Sequence, residues 1–234
     1  MKTITILQYQ GHELLGTTTC SFDSTGKKRS ETLNASFGKF PTIEKYIYND
    51  DGLLTEIREN DSIARSRTFF KYDDTLKISR EEFDEFYDNE NRDSISGFFS
   101  MTEEELSHSD KLFPVNTNYF YDGEKLSSSE ADGMENGKAA TLRTAYFYLD
   151  DGRKRAEITK VASDPDKGTK TEEIDYEYSP DGKTMTENHN YFGKDAYELD
   201  IIYHYNEDGI LLTKEFKSKK EIFQKHVYKY DYYN

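Results

Sequence analysis

The stretch YIYNDDG, at residues 46–52, decides the fold, because close copies of it recur along the chain. The clearest are YFYLDDG at 146–152, YEYSPDG at 176–182 and YHYNEDG at 203–209. Each copy has two aromatic residues separated by one residue, followed by a polar or acidic segment that ends in glycine. Such self-similarity is typical of repeat architectures, in which each copy forms one supersecondary unit.

The second aromatic residue of each copy gives the period of the repeat. Its positions lie about 26 residues apart, with one gap of 49 residues, and are Phe22, Tyr48, Tyr72, Tyr121, Tyr148, Tyr178, Tyr205 and Tyr230. A degraded copy at Phe99, in FFSMTEEEL, is predicted to fill that gap. We therefore expect about nine units, which make 1–234 a single repeat domain with an irregular, insertion-like segment near 80–114.

Each copy is predicted to form a β-hairpin. Alternate side chains of a strand point to opposite faces, so Tyr46 and Tyr48 share one face while Ile47 lies on the other. The residues at 49–52 are typical of a hairpin loop, since Asn and Asp bond their own backbone and Gly accepts positive φ. The run that starts at Leu54 is then the return strand. The fold class is therefore all-β, with repeated antiparallel hairpins in a curled extended sheet that is either closed or sandwich-like.

Three places depart from the common pattern. KYDDTLKI lacks glycine, so Thr75 is expected in a turn that avoids positive φ or tolerates strain. YFYDGEKL offers Asp122 and Gly123 as a two-residue turn. The last unit ends at the C-terminus without a return strand, and pairing with the N-terminal run ITILQYQ at 4–10 would complete it.

Helix signals are confined to the irregular segment. The two candidates are REEFDEFY at 80–87 and the run 101–107, for which Thr102 is a possible N-cap.

The composition is polar for a folded protein. Charged residues make up 33% of the chain and apolar residues 34%, which approaches the composition of disordered proteins. The 19 Tyr and 15 Phe argue against disorder, because each aromatic side chain buries a large area when it packs. A core rich in Tyr therefore allows a hydrophilic chain to fold.

The formal net charge is -15, from 46 acidic and 31 basic residues. Binding to nucleic acid or to an anionic membrane is not expected, because both depend on clustered Lys and Arg. The charge fits either a solvated surface or attraction to a basic partner. The N-terminus lacks the pattern of a signal peptide, and no stretch is apolar enough for a membrane helix.

The sequence contains no recognisable catalytic, cofactor or metal motif. Cys20 is expected to be a small apolar residue at the first aromatic position of the first unit. The acidic segments at 164–173 and 88–93 lack the spacing of a calcium loop and are expected to be solvated turns. An enzyme would require a deep pocket with perturbed carboxylates within 80–114. The histidines are expected at the surface; they are His12, His108, His189, His204 and His226.

The string aromatic-x-aromatic-x-Asp-x-Gly resembles the YD repeat of the rearrangement-hotspot (Rhs) and teneurin-like proteins. LLTEI after Gly52 and ILLTKEF after Gly209 approximate the continuation of that motif, while residues 183–187 depart from it. The resemblance implies a bacterial β-repeat scaffold and a short, diverged member. In large relatives such repeats form a shell around a toxin, and this chain is similar to only a small part of such a shell. The resemblance does not imply toxin activity.

These features predict a non-catalytic, protein-binding repeat scaffold without a cofactor. One specific form is a bacterial immunity protein that neutralises a basic toxin domain, which an acidic chain would suit electrostatically. The alternative is a cell-envelope or surface protein that binds glycans or other surface ligands through exposed Tyr. The expected location is the cytoplasm, or the envelope or exterior if an export signal has been removed.

Overall fold

The computed structural model describes residues 2–36, 40–61, 64–86, 98–108, 114–135, 138–162, 168–193, 196–219 and 221–232. Within these ranges lie sixteen strands, one 3-10 helix (Phe98–Ser100) and one short α-helix, α1 (Glu103–Ser107). The strands are β1 (Thr3–Gln10), β2 (Glu13–Phe22), β3 (Lys28–Ala35), β4 (Thr42–Tyr48), β5 (Leu54–Asn60), β6 (Ala64–Asp73), β7 (Leu76–Phe86), β8 (Val115–Asp122), β9 (Lys125–Glu135), β10 (Lys138–Tyr148), β11 (Lys154–Ala162), β12 (Thr169–Tyr178), β13 (Thr184–Tyr191), β14 (Tyr197–Tyr205), β15 (Leu211–Ser218) and β16 (Glu221–Asp231).

The strands are hydrogen-bonded in sequence order, and β16 returns to β1, which is the strand order of a closed barrel. Consecutive strands pair in antiparallel fashion, as β4 does with β5 and β14 with β15. The predicted all-β fold of repeated hairpins is therefore confirmed, in its closed form. The predicted pairing of the two ends of the chain is also observed, because Lys2 N donates to Asp231 O at 2.8 Å.

Contacts divide the chain into two compact units. Unit 1 comprises Met1–Thr5, Gly16–Asn118 and Tyr230–Asn234, and unit 2 comprises Ile6–Leu15 and Tyr119–Lys229. Unit 1 contains both helices, and each unit is built from hairpins of the same kind.

The repeated turn combines a tight loop with a β-bulge. In the first quoted copy Gly52 N donates to Asn49 O, and Asn49 N donates to Leu53 O, both at 3.0 Å. Gly52 takes a φ of 83°, a conformation that is unfavourable for residues with a Cβ. The pairing register shifts at Tyr48, so the bulge lies at the second aromatic residue. The same shift occurs at Tyr148 and Tyr205.

The two unusual turns form where they are predicted but differ in detail. Thr75 lies in the turn without glycine and avoids positive φ, because the preceding Asp74 takes that conformation at 49°. Asp tolerates this conformation better than a β-branched Thr does, which explains the choice. The short turn is formed by Gly123 and Glu124 between the ends of β8 and β9, with Gly123 at a φ of 60°.

The described chain contains seven repeat hairpins and an eighth strand pair formed by β16 with β1, and the ninth copy predicted at Phe99 is wrong. Phe99 lies in the 3-10 helix, and α1 follows with Thr102 as its N-cap, as predicted. Thr102 and Glu105 form a capping box, in which each side chain bonds the other residue's backbone N–H. The predicted helix at 80–87 is also wrong, because β7 continues to Phe86 and pairs with β6. The three-residue spacing of Phe83 and Phe86 favours a helix, but pairing with β6 determines the conformation, and positions three residues apart lie on opposite faces of a strand.

The tyrosine repeat does not supply the most buried part of the molecule. The paired tyrosines, such as Tyr46 and Tyr48, are half-buried. The fully buried side chains in the described residues are Phe83, Phe98 and Leu106, which form one cluster in unit 1. The segment that interrupts the repeat therefore contributes to the most completely buried cluster of the described residues. No helix among the described residues is both long and apolar enough to cross a bilayer.

Candidate functional site

In four of the copies the second tyrosine is a structural residue. Tyr148 donates its hydroxyl to Leu126 O at 2.9 Å, and Tyr178 donates to Lys154 O at 3.0 Å. Tyr48 and Tyr72 make the same bond, so each hydroxyl ties its hairpin to the return strand of the hairpin before it. The phenol thus satisfies a backbone carbonyl while its ring packs on the sheet.

The first tyrosine lies in a network of charged side chains on the same face of the sheet, which we call the tyrosine face. Tyr176 donates to Glu157 Oε1 at 2.6 Å, and Lys154 Nζ lies 2.5 Å from the same oxygen. Burial and this bond to a carboxylate raise the pKa of Tyr176. Lys28, which is ion-paired with Glu31, repeats the arrangement by donating to Tyr46. The tyrosine face therefore satisfies its own polar groups instead of forming an apolar core.

His189, in unit 2, is held between two carboxylates and is not a surface residue. Its Nδ1 lies 3.2 Å from Glu172 Oε1 and its Nε2 3.2 Å from Glu187 Oε2, and its side chain is only 11% exposed. The bond to Glu187 outweighs burial and, with Glu172, raises the pKa of His189. Tyr203 also donates to Glu187, at 3.1 Å. Two carboxylates therefore flank the ring of His189 and favour its imidazolium form.

An aromatic stack runs from His189 to an open cleft. The ring of Tyr191 lies 6.0 Å from that of His189 and 4.2 Å from that of Tyr197, and both pairs are nearly parallel. Tyr197 is 53% exposed, and Phe192 is exposed beside it. The cleft has a volume of about 480 Å³, and its lining also includes Glu198, Ser218 and Lys219. Exposed, preordered rings of this kind offer a flat surface for stacking.

The other histidines occupy ordinary positions. His12 lies in the exposed turn between β1 and β2, and His108 caps α1 with its Nδ1 2.7 Å from Glu104 O. His204 lies 3.6 Å from Glu215, and the ring of His226 contacts that of Phe216. Burial lowers the pKa of His226, so a neutral imidazole is favoured there.

Cys20 is buried on the tyrosine face, as its position in the repeat indicates. Its Sγ lies 3.4 Å from Glu31 Oε2. Burial, followed by the nearby Glu31 carboxylate, raises the pKa of the thiol to about 11. A nucleophilic cysteine requires the opposite shift, so this environment opposes thiolate chemistry.

The two acidic segments considered for calcium lie partly or wholly outside the described residues. Residues 88–93 and 163–167 are not described. Within the described part of the chain, no group of three or more His, Cys, Asp and Glu side chains is arranged to hold a metal ion.

The segment 98–108, which we call the insert, is anchored firmly to unit 1. Phe98 and Leu106 are fully buried against Phe83, with Phe69 in edge contact with Phe83 at 6.1 Å. Arg67 is 3% exposed, and its Nη1 donates to Phe98 O at 3.1 Å and also to Met101 O. One buried guanidinium therefore fastens the backbone of the insert to β6.

Arg67 is neutralised by a buried carboxylate. Glu56 Oε1 accepts from Arg67 Nε at 2.6 Å and from Arg58 Nε at 2.8 Å. Burial alone would raise the pKa of Glu56, but the bonds from Arg58 and Arg67 lower it. Sequence reasoning missed this group, although charged residues in the middle of two predicted strands were a signal for it.

The outer surface of the insert is acidic. Glu103, Glu104 and Glu105 form the first turn of α1, where negative charge is favourable. Glu103 pairs with Lys71 at 3.0 Å, while Glu104 is exposed. A cleft of about 590 Å³ lies between the insert and β6–β7, lined by Lys71, Glu81, Thr102, Glu103, Glu104, Ser107 and His108. Burial and the Glu103 carboxylate raise the pKa of Glu81, although Lys71 opposes the shift.

Comparison with known family models and curated proteins identified no relative of this chain. No family model and no curated protein matches this sequence.

Proposed function

We propose that this protein is a non-catalytic binding scaffold that holds a basic protein partner against the insert. The observation that carries the proposal is the anchoring of an acidic segment by fully buried residues at the point where the repeat breaks. Because the insert is anchored by buried residues, its carboxylates are held in a fixed geometry. Less conformational entropy is then lost when a partner binds.

The distribution of charge supports a basic partner. Residues 80–114 contain eleven acidic and three basic residues, so this part of the chain accounts for more than half of the net charge of -15. Clustered charge of one sign speeds encounter with a partner of opposite sign and disfavours partners of the same sign. The cleft beside Glu81, Glu103 and Glu104 is suited to a Lys or Arg side chain of the partner.

The specific form that we propose is an immunity protein that neutralises a basic toxin domain in the cytoplasm of a bacterium. Its support is the resemblance of the repeat to the YD repeat, together with the acidic insert. In this form the protein acts by covering the toxin and needs no catalytic residue or cofactor.

A site-specific cross-link tests the proposal. A photoreactive amino acid at position 104, in cells of the source organism, should capture one basic protein. The same probe at Glu177, an exposed strand residue of unit 2, is the matched control and should not capture it. Glu104→Lys should abolish the complex, and binding should weaken as salt is raised. Capture of an acidic protein, or equal capture from both positions, would contradict the proposal.

A growth assay then separates the immunity function from binding alone. The captured partner should stop growth when it is expressed by itself, and co-expression of this protein should restore growth. Harmless expression of the partner would remove the immunity function and leave the binding scaffold in place.

A second candidate function is glycan binding by an envelope or surface protein. The observation that favours it is the exposed Tyr197 ring, stacked on Tyr191 in the cleft of unit 2. Titration with a panel of oligosaccharides, followed by nuclear magnetic resonance, would reveal saturable shifts that Tyr197→Ala removes. Tyr232→Ala, at an equally exposed position, should leave those shifts unchanged.

A further inference from the structure

A row of three cations crosses unit 1 on the face opposite the tyrosines. Lys45 on β4 is directly opposite Arg58 on β5, and Arg58 is directly opposite Arg67 on β6. Like charges in directly opposed positions destabilise a sheet unless an anion lies between them. The chain as a whole has a net charge of -15, so a row of positive charges is contrary to its overall charge.

The carboxylates near the row do not neutralise all of its cations. Glu56 bonds both Arg58 and Arg67 and neutralises one of them. Arg65 lies one pair further along the same face and is opposite Glu85 on β7. Lys45 is exposed and has no ion pair within the part of the chain that the structure describes. Among the described side chains of this region, cations therefore outnumber carboxylates.

A pocket lies directly over this excess charge. It has a volume of about 220 Å³, and its described lining consists of Ile43, Lys45, Arg58, Asn60 and Phe99. Phe99 is part of the insert and is fixed by an edge contact with Phe98 at 5.5 Å between ring centres. Ile43, Lys45, Arg58 and Asn60 share one face of the sheet, so the pocket combines cationic groups and an amide with the apolar Ile43 and Phe99, as small-molecule sites combine polar and apolar groups.

We propose that this pocket binds a small organic anion, a carboxylate or a phosphate monoester with a flat apolar body. Lys45, the exposed part of Arg58 and the Asn60 amide hold the anionic group, and Phe99 and Ile43 enclose the apolar body. Charge-assisted hydrogen bonds of this kind are the stronger class of polar contact. Because one wall is Phe99, the bound anion would also contact the insert.

The test uses four probes at low ionic strength: benzoate, phenyl phosphate, inorganic phosphate and benzylamine. Benzoate and phenyl phosphate should produce saturable shifts of the Asn60 side-chain amide in nuclear magnetic resonance spectra, and benzylamine should produce none. Lys45→Gln should weaken the binding of both aromatic anions about tenfold, the effect of one charged hydrogen bond. Phe99→Leu should weaken their binding and leave that of inorganic phosphate unchanged.

Lys229→Gln is the matched control, since it removes the same charge from an exposed strand position in unit 2. An equal loss of affinity in Lys229→Gln would attribute binding to net charge and overturn the proposal. Absence of saturable shifts, or equally tight binding of inorganic phosphate and phenyl phosphate, would also overturn it. Lys45 and Phe99 lie outside the acidic cleft, so failure here leaves the proposed partner surface untouched.

Discussion

The two tyrosines of a copy make different hydrogen bonds, although they are adjacent members of one sequence motif. The second tyrosine bonds a backbone carbonyl of the preceding hairpin, whereas the first takes part in a network of lysines and glutamates. Where these bonds form, the hydroxyl contributes as well as the ring, whereas Cys20 and Phe22 occupy the two positions of the first copy without a phenol.

Tyr148→Phe tests this role at one position. Loss of the bond to Leu126 O should lower the free energy of unfolding by about 1 kcal/mol, the typical net contribution of one intramolecular hydrogen bond. Urea denaturation measures the change. Tyr232→Phe, at an exposed residue, should have almost no effect, and equal losses in the two variants would argue against the bond as the cause.

The His189 cluster predicts a pH dependence of stability. The pKa of His189 is raised above its ordinary value of 6.5 in the folded protein, first by the bond to Glu187. The stabilisation is therefore complete below pH 6.5 and is lost as the pH rises through the folded-state pKa. Urea unfolding should show wild type more stable than His189→Gln at acidic pH, with a difference that shrinks toward alkaline pH.

A stability difference between wild type and His189→Gln that stays constant or grows with pH would contradict this prediction. It would indicate that His189 stabilises the protein mainly by packing against Tyr191. His12→Gln, in an exposed turn, provides the comparison for the general effect of replacing histidine.

The turn is the element that sets the hairpin, and glycine is essential there for a conformational reason. A Cβ at position 152 would meet nothing within 4 Å, so Gly152→Ala changes only the backbone preference at a φ of 86°. We expect a loss of about 1–2 kcal/mol in thermal or urea unfolding, the cost of the left-handed region for alanine.

Asp74→Gly should act in the reverse direction, since it relieves positive φ at the one clear copy without glycine. The gain should be smaller, about 0.5 kcal/mol, because glycine also costs entropy on folding. A loss of stability in this variant would indicate that the Asp74 side chain supports the turn.

Arg67 is a polar anchor of the insert, because its guanidinium bonds two backbone carbonyls there. Arg67→Met leaves Glu56 without one of its two partners and frees two carbonyls of the insert, so we expect a loss of about 3–5 kcal/mol. Hydrogen exchange should become faster in 98–108 while unit 2 keeps its protection. The double variant Arg67→Met with Glu56→Gln should recover part of the loss, whereas a uniform loss of protection would contradict this role.

Much of the hairpin structure could be predicted because its determinants are local. Tyr46, Asn49 and Gly52 act within one turn and two strands, so a short window of sequence contains the whole signal. The attachment of the insert could not be predicted, because Arg67 binds carbonyls 31 and 34 residues away. The basic pocket could not be predicted either. Lys45 and Arg58 are neighbours because of the strand register, and Phe99 reaches them only because the insert folds against unit 1.

At the scale of the whole molecule, the repeat closes on itself by means of its two ends. β16 holds the last aromatic copy, and β1 pairs with it as its return strand. Sequence predicted this pairing because an unpaired edge strand is a liability that folded proteins avoid.

Removal of residues 2–10 should therefore expose two strand edges, at β2 and β16. We expect larger species than the full-length chain forms, detected by size-exclusion chromatography with light scattering. A circular permutant that joins 231 to 2 through Asn-Asp-Asp-Gly, opened between Asp150 and Asp151, should behave as the full-length chain does. An unchanged size and stability after the removal would contradict closure by β1.

Closure by the two ends also sets an order of events during synthesis. Among the strands of the barrel β1 is made first, yet its second neighbour, β16, is made after all the others, so the growing sheet carries an incomplete edge until β16 has been made. Such an edge invites pairing with other chains while the protein is still on the ribosome. The high density of acidic residues then has a use before folding is complete, because mutual repulsion keeps neighbouring nascent chains apart.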